Sequence, residues 1–241
     1  MSLSTLGPPR TAAPVRRSRT LTTDLFEQLR ADILHCRLPP GSRLRFKELR
    51  LRYGSGLSPL REALMRLVSE GLATLEDHKG FKVAPISQDE MVDIATTLFE
   101  LEAVAIRKAI ELGDDRWEAT IIARFHELSK RPTIVSEHAT LDLEWEARNV
   151  AFHESLYAAC GSPYLIQFCR TLSDRFSRYR MLWARHADLS RDVAREHKQL
   201  METVVGRDAS RAIDLLNRHR MTTIQELLSN WNADELNVST V

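Results

Sequence analysis

Leu25, Phe26, Leu29 and Ile33 recur at three- and four-residue spacing, the period of a helix with one buried face, and predict a first helix over about residues 22–36. Leu38-Pro39-Pro40-Gly41 ends it, since proline rings do not fit a helix interior and glycine turns the chain easily. A short second helix is predicted over about 47–53. Gly54-Ser55-Gly56 then leads to a third helix over 59–70, with Ser58 expected as its N-cap and Pro59 at its first position. Its apolar face is Leu60, Ala63, Leu64, Leu67 and Val68, and Gly71 is a natural stop. The period changes next. Residues 72–76 and 80–84 read as short strands around the polar turn Asp77-His78-Lys79. Three helices followed by a two-stranded hairpin is the order of a winged helix-turn-helix, with a generic small α+β domain as the alternative.

After Pro85 nothing reads as strand. Ser87 offers an N-cap with Asp89 and Glu90 in the first turn, opening a helix to about residue 112, where Gly113-Asp114 breaks it. Further helices are expected over about 115–130, 137–160, 163–186, 189–205 and 208–230. Six helices with short connections predict an antiparallel bundle. The expected fold class is therefore mostly α: a disordered arm over 1–19, a winged helix-turn-helix over 20–87 and an antiparallel helical bundle over 88–232, with residues 233–241 fraying. A length of 241 residues suits two domains.

Composition adds exclusions. With 43% hydrophobic and 28% charged residues the chain is ordinary globular material, and no apolar run approaches the roughly 20 residues of a membrane helix. The first residues lack an apolar secretory core, and Cys36, Cys160 and Cys169 show no metal-type spacing, so a cytoplasmic protein without a membrane partner is expected. Net charge is only +1, but it is divided unevenly. Residues 1–87 hold 15 Lys and Arg against 8 Asp and Glu, net +7; residues 88–241 hold 19 against 25, net −6. That asymmetry points to a basic module for a polyanion, joined to an acidic module with another task. A solvated basic face is the plainer alternative, because Arg10, Arg16, Arg17 and Arg19 in the arm supply four of the charges.

The residues then carry a family resemblance. Leu38-Pro39-Pro40-Gly41, Pro59-Leu60-Arg61-Glu62-Ala63-Leu64, Arg66-Leu67, Glu70-Gly71-Leu72 and Gly80 resemble, in order and spacing, the N-terminal domain of the GntR family of bacterial regulators over about residues 20–87. The resemblance implies a double-stranded DNA operator as partner. Helix chemistry agrees, because a recognition helix presents its N-terminal residues to base edges. Arg61, one turn in, can reach guanine O6 and N7 with two prongs. Ser58 and the first amides around Pro59 can hold a phosphate. Arg45 and Lys47 start the second helix, placed for backbone or groove contact, and the Lys79-Gly80 wing tip can approach the minor groove. For Arg61 the alternative is an ion pair along the helix surface. Many family members carry Arg where this chain has Leu57, and Ser or Thr where it has Gly56. One guanine contact is therefore expected to be missing, and the operator to depart from the commonest family sequence.

The second half resembles the FadR-type C-terminal domain, called FCD. The matching stretches are Asn149-Val150-Ala151-Phe152-His153, Glu196-His197 and Asn217-Arg218-His219. In the family these usually read Asp-x-x-x-His, then a His on each of two later helices. The resemblance implies a divalent transition metal, zinc or nickel, held by His153, His197, His219 and the residue at 149. Spacing is compatible: Asn149 and His153 share a face with Leu156 and Tyr157, His197 lies in the seam of Val193, Leu200 and Val204, and His219 in that of Ala212, Leu215 and Leu216. Imidazoles on apolar seams are costly to bury without partners. A shared ligand is one solution and satisfied core histidines are another. His35, His78, His126, His138 and His186 match no motif.

Asn149 in place of the usual Asp brings no charge, which leaves two outcomes open. One is a weaker three-histidine metal site whose positive charge attracts an anionic effector. The other is no metal, with the histidines bonding a carboxylate directly. The family's frequent arginine a turn before Glu102 is also absent, so a carboxylate clamp must come from elsewhere, with Arg178 and Arg180 as candidates. Effector contacts are expected from Asn149, His153, Tyr179, Arg180, His197 and His219. Ser58-Pro59-Leu60-Arg61, Asp89-Glu90, Trp117-Glu118-Ala119, Ser129-Lys130 and Arg178-Tyr179-Arg180 resemble a carbon-starvation branch of these regulators that responds to glutarate, which implies a short dicarboxylate or related acid.

The expected function is a homodimeric DNA-binding regulator, a repressor released by a small carboxylate effector. Dimerisation is expected because a single winged domain makes too few base contacts for specificity. A metal-dependent enzyme using the three histidines competes, but it lacks an adjacent general base and leaves the winged half unexplained. A non-specific DNA-binding protein also competes, and a steep salt slope with little operator preference would mark it.

Overall fold

The computed structural model describes residues 21–135, 140–183, 191–229 and 231. The expected arm over 1–19 and the fraying tail over 233–241 lie outside the described residues, as do His138 and His186. Helices α1 (Leu21–Leu34), α2 (Phe46–Tyr53) and α3 (Leu57–Ser69) precede strands β1 (Ala73–Glu76) and β2 (Gly80–Val83). The strands pair antiparallel, Ala73 opposite Val83 and Glu76 opposite Gly80, and Arg43 adds a bridge to Lys82. Leu29 and Ile33 of α1, Leu60, Leu64 and Leu67 of α3, and Val83 of β2 are fully buried together. This is the winged helix-turn-helix the periodicity predicts.

One expectation about α3 needs correction. Gly56, not Ser58, is its N-cap: Gly56 is extended (φ −73°, ψ 167°), and its carbonyl accepts from the Leu60 amide at 3.3 Å. Ser58 and Pro59 therefore lie inside the first turn. There a missing proline N–H costs nothing, because the first four amides of a helix have no partner within it.

Helices α4 (Gln88–Leu112), α5 (Asp115–Ser129), α6 (Leu143–Tyr157), α7 (Pro163–Trp183), α8 (Val193–Val205) and α9 (Ala209–Ser229) build the second domain. Their starts are set by side chains that accept orphan amides: Ser87 from Glu90, Asp114 from Trp117, Asp142 from Trp145 and Asp192 from Arg195. A short hairpin, β3 (Ile134–Val135) and β4 (Thr140–Leu141), stands where the sequence reading expects helix from residue 137 and no strand. The buried pair Leu141 and Trp145, four apart, mimics a continuing helix. Asp142 breaks it by capping α6, with the Trp145 amide at 2.7 Å. Likewise α8 starts at Val193, behind the Asp192 cap, rather than at 189. Among the described residues no helix is long and apolar enough to cross a membrane.

The main core of the bundle gathers Leu98, Ile106, Ile121, Phe152, Leu156, Leu200, Val204 and Leu216. A smaller cluster of Met91, Ile94, Phe176, Tyr179, Ile224 and Leu227 lies apart from it. The two domains meet along α7. Arg30 of α1 pairs with Asp174 and, at 2.9 Å, with Glu70. Arg175 donates to the Glu70 carbonyl at 3.0 Å, and buried Arg178 donates to the Ala84 carbonyl. Gly71 is required here by its backbone: its φ is +69°, a left-handed conformation that residues with a Cβ rarely adopt.

A buried three-histidine centre and a candidate DNA interface

Helix α6 turns Trp145, Asn149, Phe152, His153 and Leu156 inward, α8 turns His197, Leu200 and Val204 inward, and α9 turns Ala212, Leu216 and Arg220 inward. Packing these three faces brings the histidines together. His153 and His197 are 3% and 2% exposed, and the His219 side chain keeps 10% of its surface. Their ligand nitrogens all lie within 4.8 Å of one another, and Nε2 of His153 is 3.3 Å from Nε2 of His197.

Burial sets their charge state. It holds His153 and His197 well below the usual histidine range and His219 down at about 4, with the nearby Arg220 pushing all three the same way. At neutral pH the centre offers neutral imidazoles with lone pairs to give. His219 Nδ1 donates to Glu196 Oε2 at 2.7 Å, which leaves Nε2 as the lone-pair nitrogen. Partial burial works against the Glu196 charge, yet hydrogen bonds from Arg191 and His219 outweigh it and hold the carboxyl down at about 2. Arg191 also pairs with Glu226 and donates to the His219 carbonyl at 3.0 Å, which locks the α8–α9 end of the centre.

The donor set suits a transition metal. Two nitrogens bound to one ion at about 2.0–2.1 Å, under tetrahedral or octahedral angles, stand roughly 2.9–3.4 Å apart. The His153–His197 pair meets that spacing. Asn149 Oδ1 and His153 Nδ1 are buried without a hydrogen-bond partner. Buried polar atoms are normally satisfied, so the orphaned Asn149 oxygen, one turn before His153, fits a centre built for a further group, while His153 Nδ1 lies across the ring from the Nε2 that meets His197.

Two buried ion pairs flank the centre, and neither partnership is foreseen in the sequence. Arg220 grips Glu102 with three hydrogen bonds of 2.7–3.1 Å, both side chains under 5% exposed. Arg180 grips Glu146 through Nε and Nη2, while its Nη1 is buried without a partner. Arg180 is near enough to lower the proton affinity of His153. Legible signals existed: Arg220 is a charge on the seam of Ala212 and Leu216, and Glu146 sits one turn before Asn149. Tyr179 stands apart from the histidines, in the smaller core cluster, with its hydroxyl donating to Glu90. Arg178 reaches the winged domain instead.

On the winged domain, Arg45 occupies the N-cap position of α2 and pairs with Glu48 at 3.0 Å, and Lys47 is exposed one residue into the helix. Ser58 and Arg61 are exposed on α3, with Pro59 half-buried between. Residues three and four positions from Arg61 are Leu57, Ser58, Leu64 and Met65, none acidic, so no ion pair along the helix draws Arg61 away. Lys79 and Gly80 form the hairpin tip, Gly80 at φ +79°, with Lys79 Nζ 3.9 Å from Glu76.

The pattern of bacterial regulatory proteins of the gntR family matches residues 21–83, and that of the FCD domain matches residues 93–222. The chain belongs to the GntR family and carries an FCD domain. The HTH-type transcriptional repressor GlaR of Escherichia coli K12 is 39% identical over 85% of this chain and 95% of its own length. The regulator BphR of Paraburkholderia xenovorans is 37% identical over 88% of this chain and 86% of its own. The solved structure of E. coli McbR/YncC shares the fold, with a TM-score of 0.74 at 22% identity, covering 89% of this chain and all of that one. These relatives are transcriptional regulators rather than enzymes, and this GntR regulator is one too.

Proposed function

We propose that this regulator is of the FadR type and represses from a two-fold operator until a small organic acid enters the three-histidine centre. The convergence of three neutral, buried imidazoles carries the reading. His153, His197 and His219 would hold a zinc or nickel ion, with the Asn149 amide oxygen as a weak fourth ligand or none. The bound ion would supply Lewis-acid attraction for a carboxylate. The chain's own residues do the rest: Glu196 orients His219, Phe152 and Trp145 exclude water, and Arg180 Nη1 offers a donor to an acid. Because Asn149 brings no charge, none of the ion's direct ligands would offset its double charge, which favours a short dicarboxylate over a monoacid. Arg45, Lys47, Ser58, Pro59, Arg61, Lys79 and Gly80 would contact the DNA.

A homodimer is part of this reading. Val104 and Leu112 of α4 and Tyr164 and Phe168 of α7 are exposed apolar residues on neighbouring helices, which supports a contact through the FCD domain. The test is metal content of the purified full chain, followed by titration of operator complexes with a panel of mono- and dicarboxylates. Release by a dicarboxylate at lower concentration than by its monoacid supports the reading. A metal-free chain that still releases the operator retires the metal and leaves the histidines as direct acid contacts. Binding with a steep salt slope and no operator preference sinks the repressor reading altogether.

A further inference from the structure

Leu57 is the first residue of α3, at the helix end that faces base edges in this fold, and it is 55% exposed. The buried face of α3 is Leu60, Ala63, Leu64 and Leu67, so Leu57 is not held there by the core. Leu57, Arg61 and Met65 follow at four-residue spacing and form one outward stripe, apolar, cationic, apolar. Gly56 before it has no side chain.

We propose that Leu57 reads the C5-methyl group of a thymine in the major groove, making it a specificity-determining residue for an A·T pair in each half-site. The inference rests on the DNA-binding reading of α3. A leucine has no donor for guanine O6 and N7. Over a G·C pair it would displace the waters on those atoms and return nothing, whereas the thymine methyl is apolar and projects into the groove. Four residues of helix advance about 6 Å, against about 3.4 Å per base pair along one strand. With α3 running along the groove, the methyl read by Leu57 lies about two base pairs from the guanine read by Arg61.

The experiment selects operators from a random duplex library with the full-length protein, then replaces each thymine of the selected half-site by deoxyuridine, which removes the methyl and keeps the pairing. One thymine, about two pairs from the Arg61-dependent guanine, should lose about three- to tenfold in affinity on replacement, as burial of one methyl group implies. Leu57→Ala should show no further loss at that position, and Leu57→Arg should move its preference to G·C. Since Leu57 is exposed, unchanged melting temperatures of both variants confirm that folding is not the cause. Equal methyl sensitivity in wild type and Leu57→Ala overturns the proposal, as does a selected operator without any methyl-sensitive thymine. If no sequence is enriched at all, the operator-reading function falls and takes this proposal with it; an enriched operator that lacks the methyl effect removes Leu57's role alone.

Discussion

Replacing Glu196 by Gln tests whether the histidine centre is a metal centre whose geometry is set from outside it. Glu196 Oε2 accepts from His219 Nδ1 at 2.7 Å and from Arg191 Nη2 at the same distance. A glutamine keeps the shape and one acceptor oxygen but loses the charge. Charge-assisted hydrogen bonds contribute about 1.5–3 kcal/mol, roughly twice a neutral one. About 1–1.5 kcal/mol of orientation and ligand basicity is therefore lost, equivalent to about 5–15-fold in metal affinity, at the lower edge of the 10–100-fold that outer partners of metal ligands usually carry. Competition with a fluorescent zinc chelator at pH 7 measures it directly. Arg191 still pairs with Glu226, so the fold should hold and the unfolding midpoint of the chelator-treated protein should move little. Zinc affinity unchanged within twofold would refute the reasoning, because His219 would then either not be a ligand or not depend on Glu196.

Further outcomes follow from other residues. Arg61→Ala should lose about 1–3 kcal/mol on the selected operator and much less on random DNA in fluorescence anisotropy, whereas equal losses would mean that Arg61 only holds phosphate. Asn149→Asp should tighten zinc and weaken an anionic effector, because it adds a negative charge beside His153; paired titrations of both ligands check the opposite signs. Arg220→Met strands Glu102 in the core and should destabilise by about 3–5 kcal/mol in urea unfolding, while adding Glu102→Leu should restore most of it; a double variant as weak as the single contradicts this. The chelator-treated protein should lose stability on acidification. The folded-state affinities of His153, His197 and His219 for protons are depressed, so the unfolded chain takes protons that the folded chain refuses. Stability from these groups is complete above the ordinary histidine pKa of about 6.5 and is lost progressively as the pH falls below it. A flat urea midpoint between pH 7 and pH 5 would contradict the buried neutral state.

How much was legible beforehand differs from element to element. The three helices and hairpin of the winged domain follow from local period and turn chemistry, and so does Ser87 as the cap of α4. Nothing in the local pattern announces the hairpin of β3 and β4, because two residues per strand show no alternation and Leu141 with Trp145 imitates a helical step. Ser58 looked like a cap by residue type. Backbone conformation at Gly56 decided otherwise, and side-chain preference at a helix start is weaker than the turn that delivers the chain to it.

By itself the sequence determined which side chains each helix would bury, because the spacing of apolar positions assigns a residue to a face whatever that face later meets. The spacing places His153, His197 and His219 on inward seams in this way, whereas the exposure of Leu57 beside Arg61 is read from the structure. Only tertiary structure decided who meets whom across those seams. Glu102 finds Arg220 118 positions away, Glu146 finds Arg180 at 34, and Arg30 finds Asp174 at 144. Helical spacing fixes direction within one element, but pairing depends on how two rigid elements cross. A buried charge must then take whatever counter-charge that crossing supplies, since leaving it alone in a low-dielectric interior costs more than the helix contributes.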